Sequence, residues 1–531
     1  MSLAVQLAKV VHQPLIPPHA GITLFPHQIT GVNWMMTREE DDAEYCRGGI
    51  LADDMGVGKS FQIICLILNS PFTSFRSLIL CPPALIDSWS RELRNCGFGV
   101  VMLSDGVFTP ASNDIKAGRT LVYLTTYPRA HLNCRYVTSC AFDRIICDEG
   151  HVLRNCLSTQ IGQSLIAIVE NTTCRWCVSA TPIQNSKRDL RRICTWLGVD
   201  DIDECISRNK IMLRRTMHEL RDVIDKLPPP PKFVKHLLVI PPDSPEGRQF
   251  QLLANRVQIV LGSDSISGLL KLEIYMRLQQ FVIHPQIYIE AMRAAKKWYK
   301  HADWTGTTTK WTAFQTELQR AVVECVPTIV FCNFRNEIDR VEELAHKFGA
   351  GVFTIRGGLG SEFLGQVCRD GQAFAKSGKP TVFVVQIVSG GCGLNLQFCS
   401  RILFLSRHWN PAIVHQAVGR AVRIGQTRVV EVHQFNIVNG VMDNIDRRMA
   451  YLHLEKIAGA RLVCASLYEG FMETEMDAFD VEGDAEGDAE GDVKPDVKPD
   501  VKPDVKPDVK PDVKPDVKPD VKPDVKPDVK P

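Results

Sequence analysis

Apolar residues fall in two alternating patterns along the first 460 positions. Short runs of four to six apolar residues end in Gly, Pro or Asp. Segments with apolar residues three and four apart follow them. Residues 48 to 53 (GGILAD) predict a strand, and residues 61 to 68 (FQIICLIL) the helix after it. Residues 78 to 93 repeat the theme, a strand ending at Pro82-Pro83 and a helix carrying Trp89. Ile145, Ile146 and Cys147 form a third buried run before Asp148. Strands that alternate with helices in this way predict parallel α/β sheets. From Pro241 to about Thr312 the pattern is less regular and more helical. It holds a His284-Pro285 turn and Trp298, Trp304 and Trp311, whose expected use is packing between lobes. At Ala313 an amphipathic helix begins, with Phe314, Leu318 and Val322 on one face.

Two polar segments interrupt the apolar runs where chemistry is expected. Asp53 to Ser60 (DDMGVGKS) lies between a strand and a helix, as a phosphate-cradling loop does. Gly56 and Gly58 let backbone N–H groups turn toward phosphates at the helix N-terminus. Lys59 reaches the β- and γ-phosphates, and Ser60 offers its hydroxyl to magnesium. The candidate nucleotide-binding set is therefore Asp54, Met55, Gly56, Val57, Gly58, Lys59 and Ser60. Asp148-Glu149-Gly150-His151 ends the third apolar run, at the C-terminal edge where open α/β sheets place ligands. Asp148 is the candidate magnesium ligand, with Ser60, and Glu149 the group that polarises an attacking water. His151 would couple this site to the rest of its lobe. Late in the chain, QAVGRAVRIGQ places Arg420 and Arg423 three apart, on one face of an expected helix. Such arginines stabilise transferring phosphoryl groups. The reading is a hydrolase of nucleoside triphosphates with magnesium as cofactor.

Further segments, in order, resemble the Swi/Snf-type ATPases, the double-stranded-DNA translocases of helicase superfamily two. Leu24 to Met35 resembles their adenine-reading segment, with Gln28 as reader. Leu124 to Ala130 resembles the Thr-Tyr motif, and Ser179 to Asn185 (SATPIQN) the coupling motif. IMLRRT followed by KLPPPPK, Arg277 to Tyr288, Thr328 to Phe334, Gly390 to Leu396 and His408 to Pro411 complete the set. The resemblance covers about residues 21 to 462. It implies two RecA-like parallel-sheet lobes of the α/β class with a nucleotide cleft between them. It also implies Trp409 and Asn410 on the DNA side, duplex DNA as partner, and remodelling of chromatin, repair or transcription complexes as the role. Three departures stand out. Asp54 replaces a usual Glu, Gly150 replaces Ala, and Ser406-Arg407-His408 replaces an acidic stretch, which is expected to put positive charge near the DNA-side motif. Two other readings stay open: a non-catalytic nucleic-acid binder, and a virus-type nucleoside triphosphate phosphohydrolase serving transcription termination.

The expected domains are a leader (1–20), an ATP-binding lobe (21–240), a helical linker (241–312), a second lobe (313–462) and a tail (463–531). Residues 1 to 461 carry 52 Lys+Arg against 41 Asp+Glu, which suits a binder of phosphate backbones. The basic groups Arg188, Arg191 and Arg192, and Arg214 and Arg215, read as phosphate contacts or as solvated faces. Eighteen cysteines are scattered through apolar strands, as in a reducing compartment. Cys174 and Cys177 form one CxxC without a second pair at zinc spacing. No apolar run is long enough to span a bilayer and no secretory signal opens the chain. An intracellular location follows, nuclear if the cell is eukaryotic, with no membrane partner. Residues 462 to 491 hold ten acids and no base, and residues 492 to 531 are ten DVKP repeats. A Pro at every fourth position forbids a lasting helix or ladder, so the tail is expected to be disordered. A chain ending near residue 470 is expected to melt at the same temperature as the full chain, which differential scanning fluorimetry checks.

Overall fold

The computed structural model describes residues 15–17, 23–40, 47–70, 75–184, 186–199, 211–221, 224–261, 268–295, 300–306, 308–390, 394–439 and 445–461. The expected tail, Trp298 and residues 391–393 of the Gly390 to Leu396 motif lie outside them.

The first sheet has eight strands in the order β4-β3-β5-β2-β6-β7-β1-β8. They are β1 (Arg47–Leu51), β2 (Ser77–Cys81), β3 (Gly99–Ser104), β4 (Val107–Phe108), β5 (Leu121–Thr126), β6 (Arg144–Asp148), β7 (Cys174–Val178) and β8 (Met212–Leu213). All neighbours run parallel except β3 and β4. The continuous apolar runs have a direct cause. Side chains alternate across a strand, and both faces of this sheet are covered. In β2, Leu78 and Leu80 enter one core while Ile79 and Cys81 enter the opposite one; in β6, Ile145 and Cys147 part from Ile146 in the same way. The opposite core is closed by helices α1 (Pro26–Glu40), α2 (Lys59–Asn69) and α3 (Ile86–Asn95). Beneath α1, Glu39 is fully buried and accepts from Arg144 Nε at 2.6 Å and Trp176 Nε1 at 2.9 Å.

The second sheet has six parallel strands in the order β11-β12-β10-β13-β14-β9. They are β9 (Lys232–Leu238), β10 (Thr328–Cys332), β11 (Gly351–Ile355), β12 (Thr381–Gln386), β13 (Arg401–Phe404) and β14 (Glu431–Ile437). Here too Ile329 and Phe331 part from Val330 and Cys332. The two parallel-sheet lobes are therefore present as expected, but the boundary near residue 240 is not. β9 pairs with β14 along its whole length, from Lys232 opposite Glu431 to Leu238 opposite Ile437. The Pro-rich segment before it is the crossing between lobes. A strand at the edge of a distant sheet leaves no local mark in sequence, so its pattern was read with the preceding lobe.

The helical stretch likewise belongs to the second lobe. Its helices α4 (Pro245–Leu261), α5 (Gly268–Ile283) and α6 (Pro285–Ala295) pack with Ile437, Ile445 and Met449. Helix α7 (Thr309–Val323) buries Trp311, Phe314, Leu318 and Val322, the face expected of it. Trp311 packs edge-on to His284 and against Phe314, and Trp304 against Phe281. These tryptophans build the second lobe itself rather than its contact with the first. Lys310 is fully buried, with Nζ 2.6 Å from Asp446 Oδ2 on α8 (Ile445–Arg461). No helix among the described residues is long and apolar enough to cross a membrane.

A fragment of residues 225 to 470 is expected to be soluble and monomeric. One starting at 241 lacks β9, exposes the β14 edge and is expected to aggregate; size-exclusion chromatography distinguishes them.

Candidate functional site

The loop from Ala52 to Gly58 joins β1 to α2. Gly56 and Gly58 have φ of 76° and 89°, in the left-handed region. Neither tolerates a side chain: a Cβ on Gly58 would sit 2.3 Å from Gln28 Nε2, and one on Gly56 2.5 Å from Arg423 Cβ. Lys59 Nζ donates to the carbonyls of Asp53 and Asp54, each at 2.9 Å. Burial lowers its pKa, and the carboxylates of Glu149, Asp53 and Asp148 oppose that shift. Gln28 does not stand apart from the loop. Its Nε2 donates to Val57 O at 3.2 Å, and its Oε1 accepts from Phe25 N at 3.0 Å. His27 Nε2 lies 2.9 Å from the same Val57 oxygen.

Beneath the loop lie charges that the sequence left open between phosphate contacts and solvated faces. Arg215 is buried and donates through Nε to Asp53 Oδ1 at 2.9 Å; Gln62 Nε2 reaches Asp53 Oδ2 at 2.9 Å. Burial opposes ionisation of Asp53, but Arg215 holds its carboxyl below the usual range. Arg214 donates to Ala52 O at 2.6 Å, Ala180 O at 2.9 Å and Asp54 Oδ1 at 2.9 Å. Met217 N donates to Asp54 Oδ2 at 3.0 Å. Arg214 and Arg215 are thus structural, whereas Arg188 and Arg191 are solvated. Asp54 and Val57, expected as nucleotide-binding, turn their side chains into the fold: Asp54 to Arg214, and Val57 to Leu220 and Ile224.

Asp148 ends β6. Trp89 Nε1 donates to its Oδ2 at 2.7 Å, and Tyr127 Oη to its carbonyl at 2.7 Å. Burial, then the charge of Glu149, pushes the Asp148 carboxyl up to about 6. Glu149 itself is held in the left-handed region, φ 51° and ψ 44°, a conformation costing roughly 1–2 kcal/mol for a residue with a side chain. Its Oε2 lies 3.3 Å from His151 Nδ1, so His151 does attach to the acidic pair. Burial opposes ionisation of Glu149, but His151, Arg420 and Lys59 hold it below its usual range. Gly150 has a reason in the packing: a Cβ there would fall 2.6 Å from Cys177 Sγ. Cys174 and Cys177 are buried free thiols within β7, and burial pushes both up, Cys174 to about 12.

The second lobe closes on this site. Helix α9 (Pro411–Val418) ends before Gly419, so Arg420 and Arg423 lie in the turns after it rather than on one helical face. Arg420 Nη2 lies 4.0 Å from Glu149 Oε1, and Gln416 Nε2 3.4 Å from Glu149 Oε2. Ile424 N donates to Gly56 O at 3.3 Å. Arg423 is partly buried on the cavity wall, and desolvation, then the charge of Arg420, lowers its pKa to about 10. Gln28, Gly56, Lys59, Ser60, Asp148, Glu149, Arg420 and Arg423 thus line one cavity of about 940 Å³, with Met55 and Gly58 on its wall. A second bridge runs from Gln184 Oε1 to Asn410 Nδ2 at 3.2 Å, and Gln184 also accepts from Arg154. Trp409 is 46% exposed, with Lys456 Nζ 4.1 Å from its ring centroid. Residues 406–408 do not supply the positive charge expected beside it; Lys456 does. Arg407 is buried and bonds Gln434 Oε1 at 3.1 Å, and burial lowers His408 to about 4, so it is neutral. Sequence reading missed Trp89 as partner of Asp148 and Gln416 as partner of Glu149. The second stood within the quoted motif; the first had no signal, since an indole in an amphipathic helix reads as core.

Residues 27–228 match the model of the SNF2-related domain, and residues 310–425 that of the helicase conserved C-terminal domain. The chain belongs to the SNF2-related, helicase-like proteins. The SNF2-related domain contains the loop and the acidic strand, and the C-terminal domain nearly all of the arginine turn. One relative is the "Probable global transactivator" of Orgyia pseudotsugata multicapsid polyhedrosis virus, 26% identical over 77% of this chain and 86% of that protein. Another is the mouse SWI/SNF-related matrix-associated actin-dependent regulator of chromatin subfamily A member 1, 23% identical over 82% of this chain and 43% of that protein. The chain therefore spans most of the viral relative but under half of the mouse one. The Sulfolobus solfataricus SWI2/SNF2 ATPase core in complex with dsDNA is 22% identical, covers 86% of this chain and 98% of its own, and has a TM-score of 0.35.

Asp53→Ala leaves Arg215 charged, buried and unpaired, and is expected to cost about 3–5 kcal/mol in urea unfolding. Arg188→Ala, on the surface, is expected to stay within about 0.5 kcal/mol. Because the folded carboxyl of Asp53 is depressed, its contribution is complete above its unfolded pKa of about 4 and is lost as pH falls through the folded value; unfolding curves across acid pH check this.

Proposed function

We propose that the chain hydrolyses ATP with magnesium in the cleft between its lobes and uses the cycle to move along double-stranded DNA. The convergence of Lys59, Asp148, Glu149, Arg420 and Arg423 on one cavity, from both lobes, carries the reading. The donor set fits a nucleotide. Lys59 spends its protons on two backbone carbonyls that phosphate oxygens can replace as partners. The left-handed glycines let backbone N–H groups of the loop turn toward a phosphate. Ser60 and Asp148 would hold the magnesium ion, whose charge offsets that of the phosphate oxygens.

Each residue then has a definite task. Lys59 binds the β- and γ-phosphates. Glu149, kept ionised by His151 and Arg420, accepts the proton of the attacking water. Trp89 orients Asp148. Arg420 and Arg423 meet charge that develops on the transferring group, and they do so only when the lobes are closed. Gln28, fixed by Phe25 and Val57, lies on the cavity wall as a reader of the base. Opening and closing of the cleft breaks and remakes the Gln184–Asn410 bond beside the exposed Trp409. That bond would transmit closure to a DNA-bound surface. Remodelling of chromatin, repair or transcription complexes would be the use, within the nucleus if the cell is eukaryotic. The breadth of match to a viral transactivator favours a transcriptional setting as the second reading.

Lys59→Ala is expected to abolish turnover, and Glu149→Gln to retain ATP binding while stopping hydrolysis; normal turnover in either purified variant overturns the assignment. Arg423→Ala is expected to bind ATP nearly normally and lose roughly 10³-fold or more in rate. Turnover should rise with duplex DNA and fall with salt, as phosphate-backbone binding requires. Trp409→Ala should weaken the stimulation by DNA and spare the DNA-free rate. Activation by RNA alone, measured in the same assay, would point to an RNA-dependent enzyme instead.

A further inference from the structure

A second constellation of ligating side chains lies at the β9 edge of the second sheet, and none of its members lines the nucleotide cavity. His236 on β9, His433 on β14 and Glu317 on α7 each bring one ligand atom within 4.8 Å of the others. His236 Nε2 is 3.0 Å from His433 Nδ1, and Glu317 Oε2 is 3.7 Å from that same nitrogen. Ligands around a tetrahedral ion with bonds of about 2.0–2.1 Å stand roughly 3.3 Å apart. Two of the three separations bracket that spacing, and the third lies within 4.8 Å.

The fold fixes this geometry. In the β9–β14 register His433 lies opposite Val234, and His236 is two residues further along β9, so both imidazoles share one sheet face. The rings stack on each other at 5.3 Å, and His236 stacks on Phe435 at 4.5 Å. His433 is 1% exposed, and its Nε2 is buried with no hydrogen-bond partner. The nearest carboxylate to that nitrogen is Glu431 Oε2, at 3.7 Å. A carboxylate behind the second nitrogen is the usual support of a metal-bound histidine. Burial lowers both imidazoles, His433 to about 4, so both are neutral and have lone pairs to give.

The surrounding charges decide what could bind. Glu317 Oε2 is held by Arg320 Nη2 at 2.7 Å, Glu431 by Arg401 at 3.1 Å and Lys232 at 3.2 Å, and Glu324 by Arg401 at 2.9 Å. Arg320 is about half exposed and can swing into solvent, which frees the Glu317 carboxylate. Two imidazoles and one carboxylate suit a borderline ion rather than magnesium or calcium, which take oxygen shells.

We propose that His236, His433 and Glu317 form a binding site for a zinc-class divalent cation, completed by solvent and backed by Glu431. The ion would join the edge strand that follows the lobe crossing to the neighbouring strand and to α7. The site is then structural, since it tethers the connector side of the second lobe at a distance from the nucleotide.

The test uses the full chain, with zinc and with cobalt as a spectroscopic probe. Stoichiometric zinc should raise the melting temperature, and cobalt should give a tetrahedral ligand-field spectrum without thiolate charge-transfer bands. His236→Gln and Glu317→Gln should each abolish both effects and weaken zinc binding at least 100-fold, on the order of losing one of three protein ligands. Glu431→Gln should weaken it about 10-fold. If His236→Gln misfolds, Glu317→Gln decides, because its partner Arg320 is already half exposed. Equal zinc binding in parent and Glu317→Gln, a thiolate spectrum, or no binding by the parent overturns the proposal.

Discussion

The phosphate loop depends on two arginines below it. A loop that offers its backbone to phosphates has few contacts of its own, and it collapses unless something outside the loop fixes it. Asp53 and Asp54 supply the anchors, and Arg215 and Arg214 bring β8 and the chain after it under the loop. Arg214 also joins Ala52 to Ala180, so one guanidinium ties the loop to the start of the coupling motif. These pairs work because each guanidinium has further acceptors, such as Gln62 for Arg215. A buried ion pair without them would recover little of its desolvation cost. The acid at position 54 thus supports the loop through Arg214 and Met217 N.

From that anchored loop the cleft is assembled by close approach. Gly56 faces the backbone of Arg423, and Gly419 faces Met55. The first lobe alone therefore presents an incomplete wall. The same glycines that admit phosphate also admit the second lobe, which couples occupancy of the loop to the position of the arginines. Gln184 and Asn410 repeat this at the other end of the interface, where the meeting groups are amides and respond to distance rather than to charge.

What could be read from sequence followed a physical rule. Buried parallel strands leave continuous apolar runs, and the first sheet was visible in that way, whereas the second followed from the resemblance. Motifs whose chemistry is local, such as Gly56-x-Gly58-Lys59 or Asp148-Glu149, were found because neighbouring residues perform it. Features set by distant partners were not. The place of β9 depends on β14, roughly 200 positions later. The inward turn of Arg407 depends on Gln434, and the burial of Arg214 and Arg215 depends on carboxylates about 160 positions earlier. The arginine turn was read as helix because its spacing is helical, although Gly419 and the contact with Gly56 end the helix first.

The contact between Gly150 and Cys177 couples substitution at the two positions. A methyl group at position 150 would meet the Cys177 thiol at 2.6 Å. Alanine at 150 requires the Cys177 thiol to rotate away from β6 or a smaller residue to stand at 177. The acidic box, the most chemically constrained stretch of the chain, thus has its permitted sequences set by a residue on the neighbouring strand that plays no part in the chemistry.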